Sequence, residues 1–170
     1  MHRTKSGLGS AVGAVLVSLA VQAGAAEVKV TEVPAPVLKA METRFPGIKI
    51  VGTASEVTPE GQTVYEVTLD DKGKNIDTMV TPEGALTLIE REITRKDLPK
   101  EVQTTLNAKF TKNRYKFVEQ CIEVKGTDEK VAYYEVLLES LDTKQLRAVQ
   151  LGTDGAVQKV EKKAAGGEDD

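Results

Sequence analysis

The sequence predicts an α+β fold: two tandem αββββ repeats, with a helix packed on one face of each antiparallel sheet. Three observations predict it. First, motifs recur in one order at offsets of 65 to 71 residues. Val33-Pro34 is echoed by Leu98-Pro99, Tyr65-Glu66-Val67 by Tyr134-Glu135-Val136, and Pro82-Glu83-Gly84-Ala85 by Thr153-Asp154-Gly155-Ala156. Such self-similarity at a fixed period marks duplicated supersecondary units. Second, apolar residues follow each proline at i, i+4 and i+8, which is one stripe of a helix: Val37, Met41, Phe45 and Val102, Leu106, Phe110. Third, the remainder of each unit alternates apolar and polar residues between glycine turns, the pattern of half-buried strands.

The elements follow in chain order. Residues 1–26 have a basic start (His2, Arg3, Lys5), an apolar stretch from Leu8 to Val21 and small residues at Ala23-Gly24-Ala25-Ala26. That is the layout of a cleaved signal peptide, and its apolar part is shorter than the roughly 20 residues a membrane span needs. Residues 27–93 form the first repeat. Pro34 starts its helix, where a missing N–H costs nothing, and Pro46-Gly47 stops it. Strands are expected at 48–51, 62–70, 75–81 and 85–93. Residues 94–163 form the second repeat, with a helix after Pro99 and strands at 115–118, 131–141, 145–151 and 156–161. Residues 164–170 end in Gly-Gly-Glu-Asp-Asp and read as a flexible acidic tail. A unit of one helix on four strands buries little surface. The short connection at Thr94–Asp97 therefore favours one integrated eight-stranded body over two free units.

Composition limits the chemistry. The chain has 170 residues, 40% hydrophobic and 29% charged, with no Trp, one Cys and one His. His2 lies in the leader, so the mature chain has no imidazole for a Ser-His-Asp or Cys-His nucleophile or for a His-bound metal, and Cys121 has no partner for an internal disulfide. Removing the leader takes away Arg3 and Lys5 and no acid, so the net charge of −3 becomes two units more negative. That balance, without a basic block, argues against a nucleic-acid partner. No cofactor is called for, and no second long apolar run predicts membrane insertion once the leader is gone.

The order of the Val/Leu-Pro helix starts, the Tyr-Glu-Val strands and the Gly84 and Asp154-Gly155 turns resembles the PepSY-like, beta-lactamase-inhibitor-like family over residues 33–162. The junction Asp97-Leu98-Pro99 after Glu90-Arg91-Glu92-Ile93 resembles it as well. The resemblance implies an exported bacterial α+β protein of two αββββ copies without known catalysis. Related domains are associated with protease propeptides and inhibition, and the namesake inhibits beta-lactamase through a concave sheet. This chain lacks the inhibitor's disulfides and aromatic-rich face, so beta-lactamase is not the expected target.

Strand alternation then sorts the candidate residues. Tyr65, Val67 and Leu69, with Tyr134, Val136 and Leu138, are expected in the core. The other face is Val64, Glu66, Thr68 and Asp70 in the first copy, a solvated set. In the second copy it is Tyr133, Glu135, Leu137, Glu139 and Leu141. Its extra apolar content makes Tyr133, Leu137 and Leu141 the candidate partner-binding residues, the alternative being that they pack against the other copy or a loop. Cys121 sits at a small-residue position shared with Ala54 and reads as a packed thiol. Asp70–Asp77 has the wrong spacing for a calcium loop and reads as a hairpin turn. Glu90, Glu92 and Glu161 are expected to face water beside Arg91 and Lys162, so no catalytic and no metal-ligating residues are assigned. The function expected is an exported, non-enzymatic binding or inhibitory module that presents a sheet surface to a protein or peptide of the cell envelope. The alternatives are a carboxylate- or metal-dependent envelope enzyme, or a sensor of small ligands or envelope polymers.

Overall fold

The computed structural model describes residues 26–163 other than residue 59. The acidic tail and the leader, apart from Ala26, lie outside the described residues. Nine strands are present: β1 (Ala26–Glu27), β2 (Lys49–Val57), β3 (Thr63–Asp71), β4 (Lys74–Val80), β5 (Leu86–Glu92), β6 (Asn113–Lys125), β7 (Asp128–Ser140), β8 (Leu146–Gly152) and β9 (Val157–Lys163). They form one antiparallel sheet in the order β1 to β9, so every strand pairs with its neighbours in sequence. Two ten-residue helices, α1 (Ala35–Arg44) and α2 (Lys100–Lys109), precede β2 and β6. Pro34 and Pro99 stand at the N-cap of each helix, one residue ahead of the expected first turn.

The expectation of two tandem αββββ repeats, integrated into one eight-stranded body with a helix for each repeat, is corrected by this architecture. The described residues form a single nine-stranded sheet with two short α-helices. Two features remove the boundary. β5 pairs with β6 from Leu88↔Glu123 to Glu92↔Glu119, joining the predicted halves by a continuous ladder. The β6–β7 hairpin is also far longer than expected, and its outer part crosses into the first half. Ile122 and Val124 belong to the same buried cluster as Val37, Met41 and Phe45 of the α1 region, with Val131 packed against it. Arg44 of α1 closes the contact with an ion pair to Glu129 at 2.7 Å. The core around α1 is thus completed by residues more than 75 positions away, and the first half has no closed core of its own.

The helix-bearing face is as the alternation indicates. Val67, Leu69, Ile76, Val80 and Ile89 pack beneath α1. Tyr134, Val136, Leu138, Val149 and Leu151 pack beneath α2 with Val102 and Leu106. Burying side chains of this size contributes about 1.5–3 kcal/mol each. The Asp70–Asp77 segment is a tight β3–β4 hairpin. Lys72 and Gly73 both take positive φ, and Asp70 Oδ1 accepts the Gly73 N–H at 2.6 Å.

Candidate functional site

The face of the sheet away from the helices differs most from expectation. Side chains there alternate with the core residues, and the register lines them up in two neighbouring rows. One row runs Thr68, Asp77, Glu90, Cys121, Tyr133 across β3 to β7, each residue directly opposite the next. The second runs Glu92, Glu119, Glu135, Gln150, Lys159 across β5 to β9. Glu66 and Glu56 extend the acidic set toward β2.

These acids do not face water. Glu119 is 1% exposed, Glu90 and Glu135 are 2%, Glu66 is 3% and Asp77 is 5%. The expectation that Glu66 and Thr68 belong to a solvated face, and that Glu90 faces water, is corrected here: both Glu66 and Glu90 are buried, as is Thr68. Glu92 is half-buried and accepts the Asn75 N–H at 3.2 Å. Glu161, also half-buried, pairs with Lys159 and Lys163.

Partners for the buried acids are few. Gln150 Nε2 donates to Glu135 Oε2 at 2.9 Å, and the Cys121 thiol lies 3.7 Å from Glu90 Oε1. Both carboxyl oxygens of Glu119 and Oε1 of Glu135 are buried without a partner. A buried carboxylate without compensation is costly, so its neutral form is favoured. Burial, reinforced by the Asp77 and Glu56 charges, pushes Glu66 up to about 7. Burial and then the Glu135, Asp77 and Glu66 charges push Glu90 above the carboxylate range. Glu119 is raised by burial and then by Glu90, Asp77, Glu135 and Glu92. Burial likewise raises Glu135, against the Gln150 bond and the Lys163 and Lys159 charges.

The sequence pattern does contain a trace of this arrangement. One acid directly follows an apolar or aromatic residue mid-strand in Tyr65-Glu66, Ile76-Asp77, Ile89-Glu90, Val118-Glu119 and Tyr134-Glu135. A solvated sheet face more often alternates signs of charge across strands, and here no Lys or Arg stands opposite these acids until β9.

Of the three candidate partner-binding residues, Tyr133 and Leu137 lie on this same face. Tyr133 is half-buried opposite Cys121. Leu137 is only 8% exposed and clusters with Ala148, Phe117 and Leu146. Leu141 falls just beyond β7 and is 47% exposed. The structure therefore presents one of the three to solvent and covers Leu137. Cys121 is fully buried and unpaired, as is Ala54 at 4% exposure on the same face. Burial, then the charges of Glu90, Glu119 and Glu135, pushes the thiol far above its ordinary value.

An open groove of about 950 Å³ lies elsewhere, between α1, the β4–β5 turn and the tip of the β6–β7 hairpin. Pro36, Ala40 and Val124 line its apolar part, and Lys39, Glu83 and Glu129 add charge around it. Alternation could not reveal it, because it depends on how far the β6–β7 hairpin reaches. Among the described residues no group of three or more His, Cys, Asp or Glu side chains is arranged to hold a metal ion, and no helix is long and apolar enough to cross a membrane.

No protein-family model matches the chain, and neither does any curated protein. Solved structures do. The chain is similar to a Bacteroides eggerthii protein provisionally described as periplasmic, at 14% identity and a TM-score of 0.61, covering 76% of this chain and 88% of that one. A DUF2874 family protein from Bacteroides uniformis matches at 13% identity and a TM-score of 0.60, with the same coverage of 76% and 88%. A BLIP-like protein from Bacteroides fragilis matches at 13% identity and a TM-score of 0.55, covering 79% and 90%. At this level of identity the likeness establishes a shared fold, the BLIP-like sheet with its two helices.

Proposed function

We propose that this chain is an exported, non-enzymatic binding module of the bacterial cell envelope, and that it engages a protein or peptide through the groove beside α1. The observation that carries the reading is the groove itself, with its apolar part and charged surround. An apolar centre within a polar rim is the usual anatomy of a protein interface. The signal-peptide pattern of residues 1–26 and the periplasmic description of the Bacteroides eggerthii protein support the compartment. The BLIP-like neighbour supports a binding role over a catalytic one. The clustered acids Glu66, Asp77, Glu90, Glu119 and Glu135 are at most 5% exposed. The partner surface is then the groove and not the face of Tyr133 and Leu137.

The test is affinity capture from periplasmic extract with three proteins. These are the wild type, a groove-blocked Thr43→Trp/Ala85→Trp variant, and a control, Leu141→Ser, at the exposed position just beyond β7. The expected result is one specific protein captured by the wild type and the control, and lost with the blocked groove. Capture that is unspecific, or unchanged by filling the groove, would refute the reading.

A further inference from the structure

We propose that the two carboxylate rows are a proton-operated latch, in which protons shared among Asp77, Glu90, Glu119 and Glu135 hold the helix-free face of the sheet closed and their loss loosens it. The inference stands on geometry and does not depend on the binding reading. Asp77 is directly opposite Glu90, and Glu119 is directly opposite both Glu92 and Glu135. Residues so placed have Cβ atoms about 4.5–5.5 Å apart, a separation at which like charges repel. Exposure of 5% or less removes the water that would screen the four named groups. An independent observation agrees: both oxygens of Glu119, a side chain 1% exposed, point into this set without a hydrogen-bond partner. Four ionised carboxylates cannot persist there without a counter-charge.

The strands around Glu119 bring mainly acids toward it. β5 presents Glu90 and Glu92, β4 presents Asp77, and β7 presents Glu135 and Tyr133, while Glu66 of β3 acts on Glu90. The strand of Glu119 itself adds Cys121. Among the described residues, Lys159 and Lys163 of β9 act on Glu135 and pair with Glu161, and Lys116 and Lys144 pair with Glu139 further along β7. Protons are the neutralising species of this proposal. The direction of the effect follows from linkage. These groups bind protons more tightly folded than unfolded, so the stability they confer is complete below the ordinary carboxylate range. It is lost as pH rises through and beyond neutrality. In chemical terms, each deprotonation breaks one carboxyl O–H, releases the proton to solvent and leaves a carboxylate facing another across one strand spacing.

The experiment uses the full mature chain. Thermal unfolding is followed from about pH 5 to about pH 8, and the midpoint is expected to fall by on the order of 5–10 °C over that range. Glu119→Gln, which fixes the neutral shape of the side chain, is expected to raise the midpoint at the alkaline end and flatten the profile. Infrared spectroscopy of the wild type in heavy water supplies a readout that needs no variant: a protonated carboxyl band persisting at neutral pH. A flat or rising wild-type profile would overturn the proposal, as would the absence of that band. A calcium-dependent rise of the midpoint at the alkaline end without a protonated band would assign neutralisation to a metal and overturn it equally.

Discussion

Gly155→Ala tests how the β8–β9 turn is seated. Gly155 takes φ +80°, a region an L side chain enters at a cost of roughly 1–2 kcal/mol. A Cβ there would also lie 2.5 Å from the Glu101 carbonyl oxygen and 2.7 Å from its carbon. Both belong to the backbone of the first turn of α2, which cannot swing away as a side chain would. Overpacking of this kind costs about 1–3 kcal/mol. The two effects together predict a loss of about 2–5 kcal/mol. Gly126→Ala separates them, because Gly126 has φ +64° but open space around its Cβ position. It should lose only the conformational part, about 1–2 kcal/mol. Urea unfolding of the wild type and both variants, with unchanged slope, gives the comparison. Equal losses in the two variants would refute the conclusion that this turn bears on the start of α2.

Leu106, fully buried beneath the second half of the sheet, should lose about 2–5 kcal/mol on truncation to Ala, measured by urea unfolding. Glu66→Gln is expected to stabilise the protein at about pH 8 by up to about 3 kcal/mol, since Glu66 is raised from 4.5 to about 7. The gain should vanish in acid below the ordinary carboxylate value, where the wild-type side chain is neutral in both states, and paired melts at the two pH values check it. Cys121, buried and with its thiol shifted upward, should resist alkylation by iodoacetamide in the native protein and react promptly in denaturant, as mass spectrometry would show.

Local features were the most legible from residue order. The stripes Val37, Met41, Phe45 and Val102, Leu106, Phe110 name the packed sides of both helices, because a period of 3.6 residues leaves few alternatives. The alternation in β3 and β7 places Val67, Leu69, Val136 and Leu138 on the helix-bearing face correctly. What alternation cannot say is whether the opposite face is wet. Glu66 and Glu90 read as solvated because acids usually are, yet they are 3% and 2% exposed. Repetition misled in a related way. Similar motifs point to two αββββ units within one body, while the reach of the β6–β7 hairpin, with Ile122 and Val124 packed in the α1 cluster, leaves no boundary between them.

The meander order has a consequence for how the chain acquires its shape. Each ladder joins segments adjacent in sequence, so no strand must wait for a remote mate before it can zip. Low separation between pairing segments reduces the loop entropy that slows most all-β folds. A chain delivered end first could therefore complete its ladders one after another, with each new strand docking on the edge just formed.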